Sequence, residues 1–254
     1  MLFRSMAGEK QMIEDFNTDV DIHAKTAAEV YNVPVNEVTP TQRRRAKVVN
    51  FGVLYGMSQH GLAAAANMSY GEAQHFIDEY YRIRPRIKEF MERTIRQAHE
   101  DGFVQTLFGR RRPTPDVRSN NFAVRSAAER AAANMPIQGT EADLMKLAML
   151  AVEKRLTIMT SPDLLPSETG KFEKNEFALP ESQVSSGSKS ISTDKNTPLG
   201  YQILQIHDSI MVECPRQNAE VVSKMLVETM ENIYPQLGIK LKVDVKIGNN
   251  WGEV

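Results

Sequence analysis

The first 155 residues carry repeated signals for where helices begin and end, and these signals leave little of that region free to form sheet. Thr39-Pro40 supplies a side-chain cap followed by proline at the first helical position, and the helical pattern runs from there to Gly56. Ser69 and Glu72 have the spacing of a capping box, which predicts that a second helix begins there. This part of the chain is therefore predicted to be mostly helical.

The same signals place further helices and a few short strands. Helices are predicted over residues 85–102, 119–134, 139–156 and about 216–233. Strands are predicted at FVQTLFG (103–109) before a basic turn at 109–113, at YQILQI (201–206), at IMVEC (210–214) and at LKVDVKIG (241–248). The predicted fold class is α+β and mostly helical, with antiparallel strands near the C-terminus.

Composition changes abruptly after Met159. Residues 160–199 are rich in Ser, Thr, Lys and Pro and show no sustained period of 2 or 3.6 residues. A loop of this length is unusual inside a compact domain. We interpret the segment as a disordered surface insertion.

Several protein classes are excluded by composition. No apolar run approaches the ~20 residues needed to cross a bilayer, and the N-terminal sequence has no secretory layout. The single cysteine, Cys214, excludes a disulfide framework and a multi-cysteine zinc site. We expect a soluble, cytoplasmic protein without a membrane partner.

The formal net charge of -1 hides a strong segregation of charge. Residues 1–40 carry three basic and seven acidic side chains, whereas residues 41–60 carry four basic side chains and no acidic one. Residues 80–130 carry twelve basic and six acidic side chains. A basic middle region favours a polyanionic partner, although solvated helix faces could carry the same charges.

Four residues of the helix after Thr39 form one stripe: Arg43, Lys47, Phe51 and Tyr55 lie at i, i+4, i+8 and i+12. Cations near a helix N-terminus can bind phosphate oxygens, and aromatic side chains further along can stack on a sugar or base. The order matches a nucleoside triphosphate lying along the helix. The alternative is an ordinary amphipathic helix with Phe51 and Tyr55 in the core and both cations in solvent.

The string RRRAKVVNFGVLYG at 43–56 resembles motif B of the family A DNA polymerases, the bacterial DNA polymerase I type. Three further blocks agree in order: DIHAKTA at 21–27, TLFGRRR at 106–112 followed by AAERAAANMPIQGTEADLMKLAM at 127–149, and QIHDS at 205–209. The resemblance covers nearly the whole chain except the insertion. It implies a fragment of the right-hand polymerase fold, with helical fingers at 1–134, which include the palm–fingers junction, and C-terminal palm at 135–254.

The resemblance also implies residue roles. Arg43 and Lys47 match the cations that bind the triphosphate, and Lys47 is a candidate catalytic residue. Phe51 matches the residue that packs on the incoming sugar and base, and Tyr55 matches the tyrosine that closes the pocket beside the template base. His23 matches a histidine that contacts the incoming phosphates.

Contacts to primer–template DNA are implied at Arg125, Asn134, Gln138 and His207. The minor-groove acceptors that Asn134 and Gln138 would read are nearly independent of sequence, so such contacts would test base-pair shape. The implied substrates are deoxynucleoside triphosphates, added to a primer 3′ end.

Asp208 matches the metal-binding, catalytic carboxylate of motif C, and the family uses two Mg²⁺ ions. The family string is His-Asp-Glu, and here Ser209 replaces the Glu. Serine cannot supply that negative charge, and Glu213 on the following strand is not an obvious substitute.

The family's first catalytic aspartate lies in an Asp-Tyr-Ser-Gln-Ile-Glu-Leu-Arg strand, and the printed sequence does not contain that string. We therefore expect a fragment or split-polymerase subunit that is inactive alone and needs a second, N-terminal polymerase chain. A catalytically silent DNA- and nucleotide-binding module is the alternative. A His-Asp phosphohydrolase is rejected because His207-Asp208 lies in a strand turn, and the GRRR and QGTEAD strings favour DNA polymerases over single-subunit RNA polymerases.

Overall fold

The computed structural model describes residues 2–18, 20–158, 198–239 and 241–253. Its helices are α1 (Leu2–Ala7), α2 (Lys10–Asn17), α3 (Ile22–Tyr31), α4 (Pro40–Leu54), α5 (Gln59–Ala66), α6 (Tyr70–Ile83), α7 (Pro85–Asp101), α8 (Phe122–Ile158) and α9 (Ala219–Glu231). Its strands are β1 (Phe103–Gln105), β2 (Arg111–Pro113), β3 (Tyr201–Ile206) and β4 (Ser209–Glu213). The predicted α+β, mostly helical fold class is confirmed. None of the described helices is both long and apolar enough to cross a membrane.

Two compact units divide the chain. Unit 1 comprises Met1–Lys146 and Asn232–Leu241, and unit 2 comprises Leu147–Glu231 and Lys242–Val254. The division into fingers at 1–134 and palm at 135–254 stays a prediction. The predicted insertion at 160–199 lies outside the described residues except for its last two positions.

The main core of unit 1 lies between α3, α4, α6 and α7. Phe76 and Tyr80, one turn apart on α6, are each 1% exposed, and Ile87 on α7 is fully buried. Burying an apolar side chain of this size stabilises the fold by about 1.5–3 kcal/mol. These contacts fix the helices that carry the predicted nucleotide-binding residues.

Unit 2 has a smaller core between its short sheet and α9. The strands β3 and β4 pair antiparallel, with Ile206 opposite Ser209 across a two-residue turn. Val222 and Met225 of α9 are buried and belong to the same apolar cluster as Ile210 of β4. The predicted hairpin at His207-Asp208 is confirmed.

Three sequence predictions of secondary structure are wrong. The helices predicted at 119–134 and 139–156 form a single helix, α8, which continues through Pro136. Proline normally interrupts a helix because it removes a hydrogen bond. Here Ala132, Ala133 and Met135 are buried beside it, so packing holds the helix together across the proline.

The other two errors concern strands. The predicted basic turn at 109–113 is partly strand, because Arg111 and Arg112 pair with Gln105 and Val104. The strand predicted at 241–248 does not form, since in the described part of the chain β3 and β4 pair only with each other. Among the described residues, 241–248 have no strand pairing although β3 and β4 each keep an open edge, so the alternating pattern alone does not make a strand.

A buried arginine joins the corner between α6 and α7 to α3. Arg84 is 4% exposed, and its Nη2 donates to Thr26 Oγ1 at 3.0 Å and to Glu29 Oε2 at 2.5 Å. Its guanidinium carbon also lies 4.9 Å from the centre of the Tyr80 ring. A buried cation is tolerated because of these partners.

We predict that Arg84→Ala lowers the free energy of unfolding by about 2–4 kcal/mol, because it leaves Glu29 without its donor and removes one of the two donors to the Thr26 hydroxyl. Urea denaturation of the 254-residue chain measures the change. Arg82→Ala is the matched control, since Arg82 forms an exposed ion pair with Glu79 and its removal should leave the midpoint unchanged. Equal shifts for the two variants would contradict the prediction.

Candidate nucleotide and nucleic-acid site

The first turn of α3 is fixed by Asp21. The Asp21 carboxylate accepts hydrogen bonds from the backbone N–H groups of His23 and Ala24, each at 3.1 Å. A side-chain acceptor at this position satisfies amides that have no partner within the helix. Asp21 therefore fixes the backbone of the first turn of α3, which carries His23.

The start of α4 is fixed by a capping box. Thr39 Oγ1 accepts from the Gln42 backbone N–H at 3.2 Å, and the Thr39 backbone N–H donates to Gln42 Oε1 at 2.8 Å. Ala46 and Val49 are fully buried, and Val53 is 5% exposed. These residues define the inner face of α4.

The predicted stripe lies on the opposite, outer face of α4. Arg43 and Lys47 are exposed, and Phe51 and Tyr55 are 50% and 53% exposed. The alternative in which the two aromatic side chains belong to the core is therefore wrong. Tyr55 follows the last residue of α4 and caps the helix.

Arg43 and Asp21 join the outer face of α4 to the start of α3. Arg43 Nε lies 2.6 Å from Asp21 Oδ2. Partial burial raises the pKa of Asp21, but hydrogen bonds from Arg43 and from the Ala24 and His23 amides outweigh it and lower the pKa below its ordinary value. The lowered pKa means that this contact stabilises the fold above the ordinary aspartate pKa of ~3.9 and is lost as the pH falls through the lowered value.

His23 and Phe51 lie side by side. Their ring centres are 5.8 Å apart with planes inclined by 43°. Lys47 lies one turn before Phe51, and among the described residues no carboxylate lies within ion-pair distance of it. The structure thus brings a histidine, two cations and an aromatic ring to one exposed surface, which we call the α3–α4 surface: His23, Arg43, Lys47 and Phe51.

A second basic surface lies where the loop between β1 and β2 packs on α8. Gln138 borders an open concave surface whose other lining residues are Arg110, Arg111, Arg112, Met135 and Gly139. Asn134 lies one turn earlier on α8 and is half-buried. Of the four predicted DNA contacts, Gln138 therefore lies beside three arginines, and Asn134 lies one turn before it on α8.

The loop is held to α8 by specific contacts. Arg110 Nη2 lies 2.8 Å from Asp143 Oδ1 and donates to the Gly139 carbonyl at 2.9 Å. The Leu107 backbone N–H donates to the buried Thr140 hydroxyl at 2.9 Å. These contacts fix the position of the arginines relative to Gln138.

Arg125 lies near the start of α8 and is half-buried. Its Nη1 donates to the Ser119 carbonyl at 2.9 Å, and its guanidinium lies 5.7 Å from the Phe122 ring centre. Phe122 itself is 73% exposed. Arg125 thus has an observed structural role in holding the loop that precedes α8.

The hairpin of unit 2 carries His207 and Asp208, both exposed. His207 has a φ of 52°, in the left-handed region that non-glycine residues rarely adopt. Ser209 Oγ donates to the Ile206 carbonyl at 2.8 Å, so this hydroxyl bonds within the turn. In the described part of the chain, no group of three or more His, Cys, Asp and Glu could hold a metal ion.

Sequence reasoning overlooked two residues that contact the α3–α4 surface. Asp21 and Asn50 both lie inside the strings that carried the resemblance, yet their contacts with Arg43 and His23 were not predicted. Asp21 could have been found as the capping residue before a helical run. Asn50 could have been found as a polar residue next to Val49 on the buried face of an amphipathic helix.

We predict that Gly139→Ala destabilises unit 1 by about 1–3 kcal/mol, because a Cβ there would lie 2.6 Å from Thr106 Cγ2 and push the loop off α8. Gly71→Ala in α6 is the control. A Cβ at Gly71 meets no atom within 4 Å, so this change should stabilise the helix by about 0.5–1 kcal/mol. Urea denaturation measures both, and a stabilising effect of Gly139→Ala would show that the loop does not need the close approach.

Comparison with known proteins agrees with this arrangement. The sequence matches the family model for DNA polymerase family A over residues 2–253. It is 38% identical over 246 residues to the thermostable DNA polymerase I of Thermus aquaticus. This alignment covers 97% of this chain and 25% of that protein. It is also 37% identical over 246 residues to DNA polymerase I of Bacillus caldotenax, and this alignment covers 97% of this chain and 24% of that polymerase. The chain thus spans about a quarter of the length of these relatives.

A solved structure is similar over most of the chain. The POL domain of Pol1 from M. smegmatis, in complex with DNA primer-template and dNTP, superposes with a TM-score of 0.73 and 30% identity. The match covers 95% of this chain and 36% of that one. The right-hand polymerase architecture predicted from the sequence is confirmed, and the chain belongs to DNA polymerase family A.

Proposed function

We propose that this chain acts in template-directed DNA synthesis and binds the incoming deoxynucleoside triphosphate on the α3–α4 surface. The observation that carries the proposal is the exposed row of Arg43, Lys47 and Phe51 on α4 beside His23. Two cations can bind phosphate oxygens, and a half-exposed ring can stack on the sugar and base. Tyr55, at the end of the row, would close the pocket next to the template base.

We propose that primer–template DNA binds the second basic surface. Gln138 and Asn134 lie on consecutive turns of α8, and the arginines of the loop border the same concavity. Arginines bind phosphates, whereas amide side chains reach base edges. Arg125 and His207 are the further DNA contacts of this proposal. In it, residues 1–134 form the fingers and residues 135–254 the C-terminal palm.

We propose that Asp208 is a Mg²⁺ ligand and a catalytic residue. An exposed carboxylate at the tip of a hairpin offers the hard oxygen donor that Mg²⁺ prefers. The left-handed φ of His207 is the conformation that a two-residue hairpin needs at its first turn position, and it places Asp208 at the tip. The other carboxylates of a two-ion site would have to come from outside the described residues.

The exposed strand β3 supports a role for further polymerase segments. Tyr201, Ile203, Leu204 and Ile206 are between 36% and 59% exposed, although they are apolar or aromatic. Exposed apolar patches commonly mark interaction surfaces. We propose that a strand of the Asp-Tyr-Ser-Gln-Ile-Glu-Leu-Arg type, on the same or a separate polypeptide, covers this face and adds a catalytic aspartate.

The second candidate is a DNA- and nucleotide-binding module without catalysis. It uses the same α3–α4 surface and the same concave basic surface and needs no metal ion. The two candidates differ in one outcome. Only the enzyme component gains primer extension when the missing segments are supplied.

The test is single-turnover primer extension with Mg²⁺, using the 254-residue chain alone and mixed with a polypeptide that carries the thumb and that strand. We predict extension only in the mixture. Asp208→Ala should abolish extension while DNA binding is retained. DNA binding without extension in the mixture would favour the binding module.

Lys47→Ala should weaken nucleotide binding by roughly 10-fold or more in the same assay, because it removes a charge-assisted phosphate contact of ~1.5–3 kcal/mol. Lys88→Ala is the matched control, since Lys88 is an exposed lysine of α7 that pairs with Glu92 at 3.9 Å. If the two variants bind nucleotide equally well, the α3–α4 surface is not the nucleotide site.

A further inference from the structure

We propose that Asn50 is a positioning residue that determines which ring nitrogen of His23 carries the proton, and so which group His23 presents to the bound nucleotide. The inference rests on the proposed function of the α3–α4 surface. Asn50 is 5% exposed and lies on the side of α4 that packs against α3. Its amide Nδ2 lies 3.0 Å from His23 Nδ1.

The chemistry of this contact fixes the proton on the histidine. An amide nitrogen donates hydrogen bonds and cannot accept them, so His23 Nδ1 must be the acceptor. A neutral imidazole that accepts at Nδ1 carries its proton on Nε2. The Nε2–H group lies on the edge of the ring away from Asn50.

Asn50 is held by a buried network. Its Nδ2 also lies 3.2 Å from the hydroxyl of Thr26, which is fully buried. The same hydroxyl accepts from Arg84 at 3.0 Å, and Arg84 is anchored by Glu29. The Thr26 hydroxyl also lies 3.4 Å from Asn50 Oδ1, so these contacts locate the Asn50 amide group between α3 and the α6–α7 corner, and the 3.0 Å contact of Nδ2 with His23 Nδ1 carries the tautomer argument.

The consequence for binding follows from charge. A phosphate oxygen is an acceptor, so an Nε2–H group can donate to it. The opposite tautomer would direct a lone pair at the anion and repel it. With Arg43 and Lys47 on the neighbouring helix, His23 would then supply a third donor to the triphosphate.

The first test needs no nucleotide. Long-range ¹⁵N–¹H NMR of the full chain, at about pH 8 and above the ordinary histidine pKa of ~6.5, reports which nitrogen of His23 is protonated. We expect Nε2–H in the unaltered protein and a mixture of tautomers in Asn50→Ala. Asn50→Asp offers only acceptors and should move the proton to Nδ1. Asn120→Ala, an exposed asparagine, is the control and should change nothing.

An Nδ1–H tautomer in the unaltered protein, or no change in Asn50→Asp, would overturn the proposal. The tautomer of His23 in the unaltered protein tests the proposal even if Asn50→Ala does not fold. It is also independent of whether the α3–α4 surface binds nucleotide.

The second test links the tautomer to binding. In titrations with a deoxynucleoside triphosphate and Mg²⁺, we expect His23→Ala to weaken affinity by roughly 10-fold and Asn50→Ala by about 3- to 10-fold. In the double variant, Asn50→Ala should add no further loss, because it acts through His23. Losses that multiply would show that Asn50 acts otherwise and would overturn the positioning role. Unchanged binding in His23→Ala would instead refute the proposed phosphate contact, with the tautomer result still standing on its own.

Discussion

The ion pair between Asp21 and Arg43 joins the first turn of α3 to the outer face of α4, the two helices that carry the candidate nucleotide site. One carboxylate caps α3 and holds the first cation of the α4 stripe. Both side chains are nearly half exposed, so the pair orients the Arg43 guanidinium toward the start of α3 and adds little to the stability of the fold.

The two faces of α4 differ in burial: the inner face packs in the core and the outer face is exposed. Ala46, Val49 and Val53 bury the inner face, so Arg43 and Lys47 must point outward. Asn50 is the polar residue on the buried side of α4, where it is 5% exposed. Its contacts reach Arg84, which links the positions of the site residues to the stability of the helical core.

Much of this arrangement could be predicted from the sequence, because short-range rules govern it. Thr39 and Ser69 cap helices through contacts with residues three positions along the chain, and a four-residue spacing places Arg43, Lys47 and Phe51 on one face. Long-range effects were harder to predict. Packing carries α8 through Pro136, and residues 241–248 stay irregular although their alternating pattern is typical of a strand. The Asn50–His23 contact joins residues 27 positions apart, so no local pattern shows it.

The most direct test of the nucleotide site is amide NMR of the ¹⁵N-labelled chain during titration with a deoxynucleoside triphosphate and Mg²⁺. If the α3–α4 surface binds the triphosphate, the largest shift changes will lie at residues 21–24 and 43–55, and they will saturate together. Shift changes confined to the arginines at 110–112 would mean that the phosphates bind the second basic surface, and they would contradict the account.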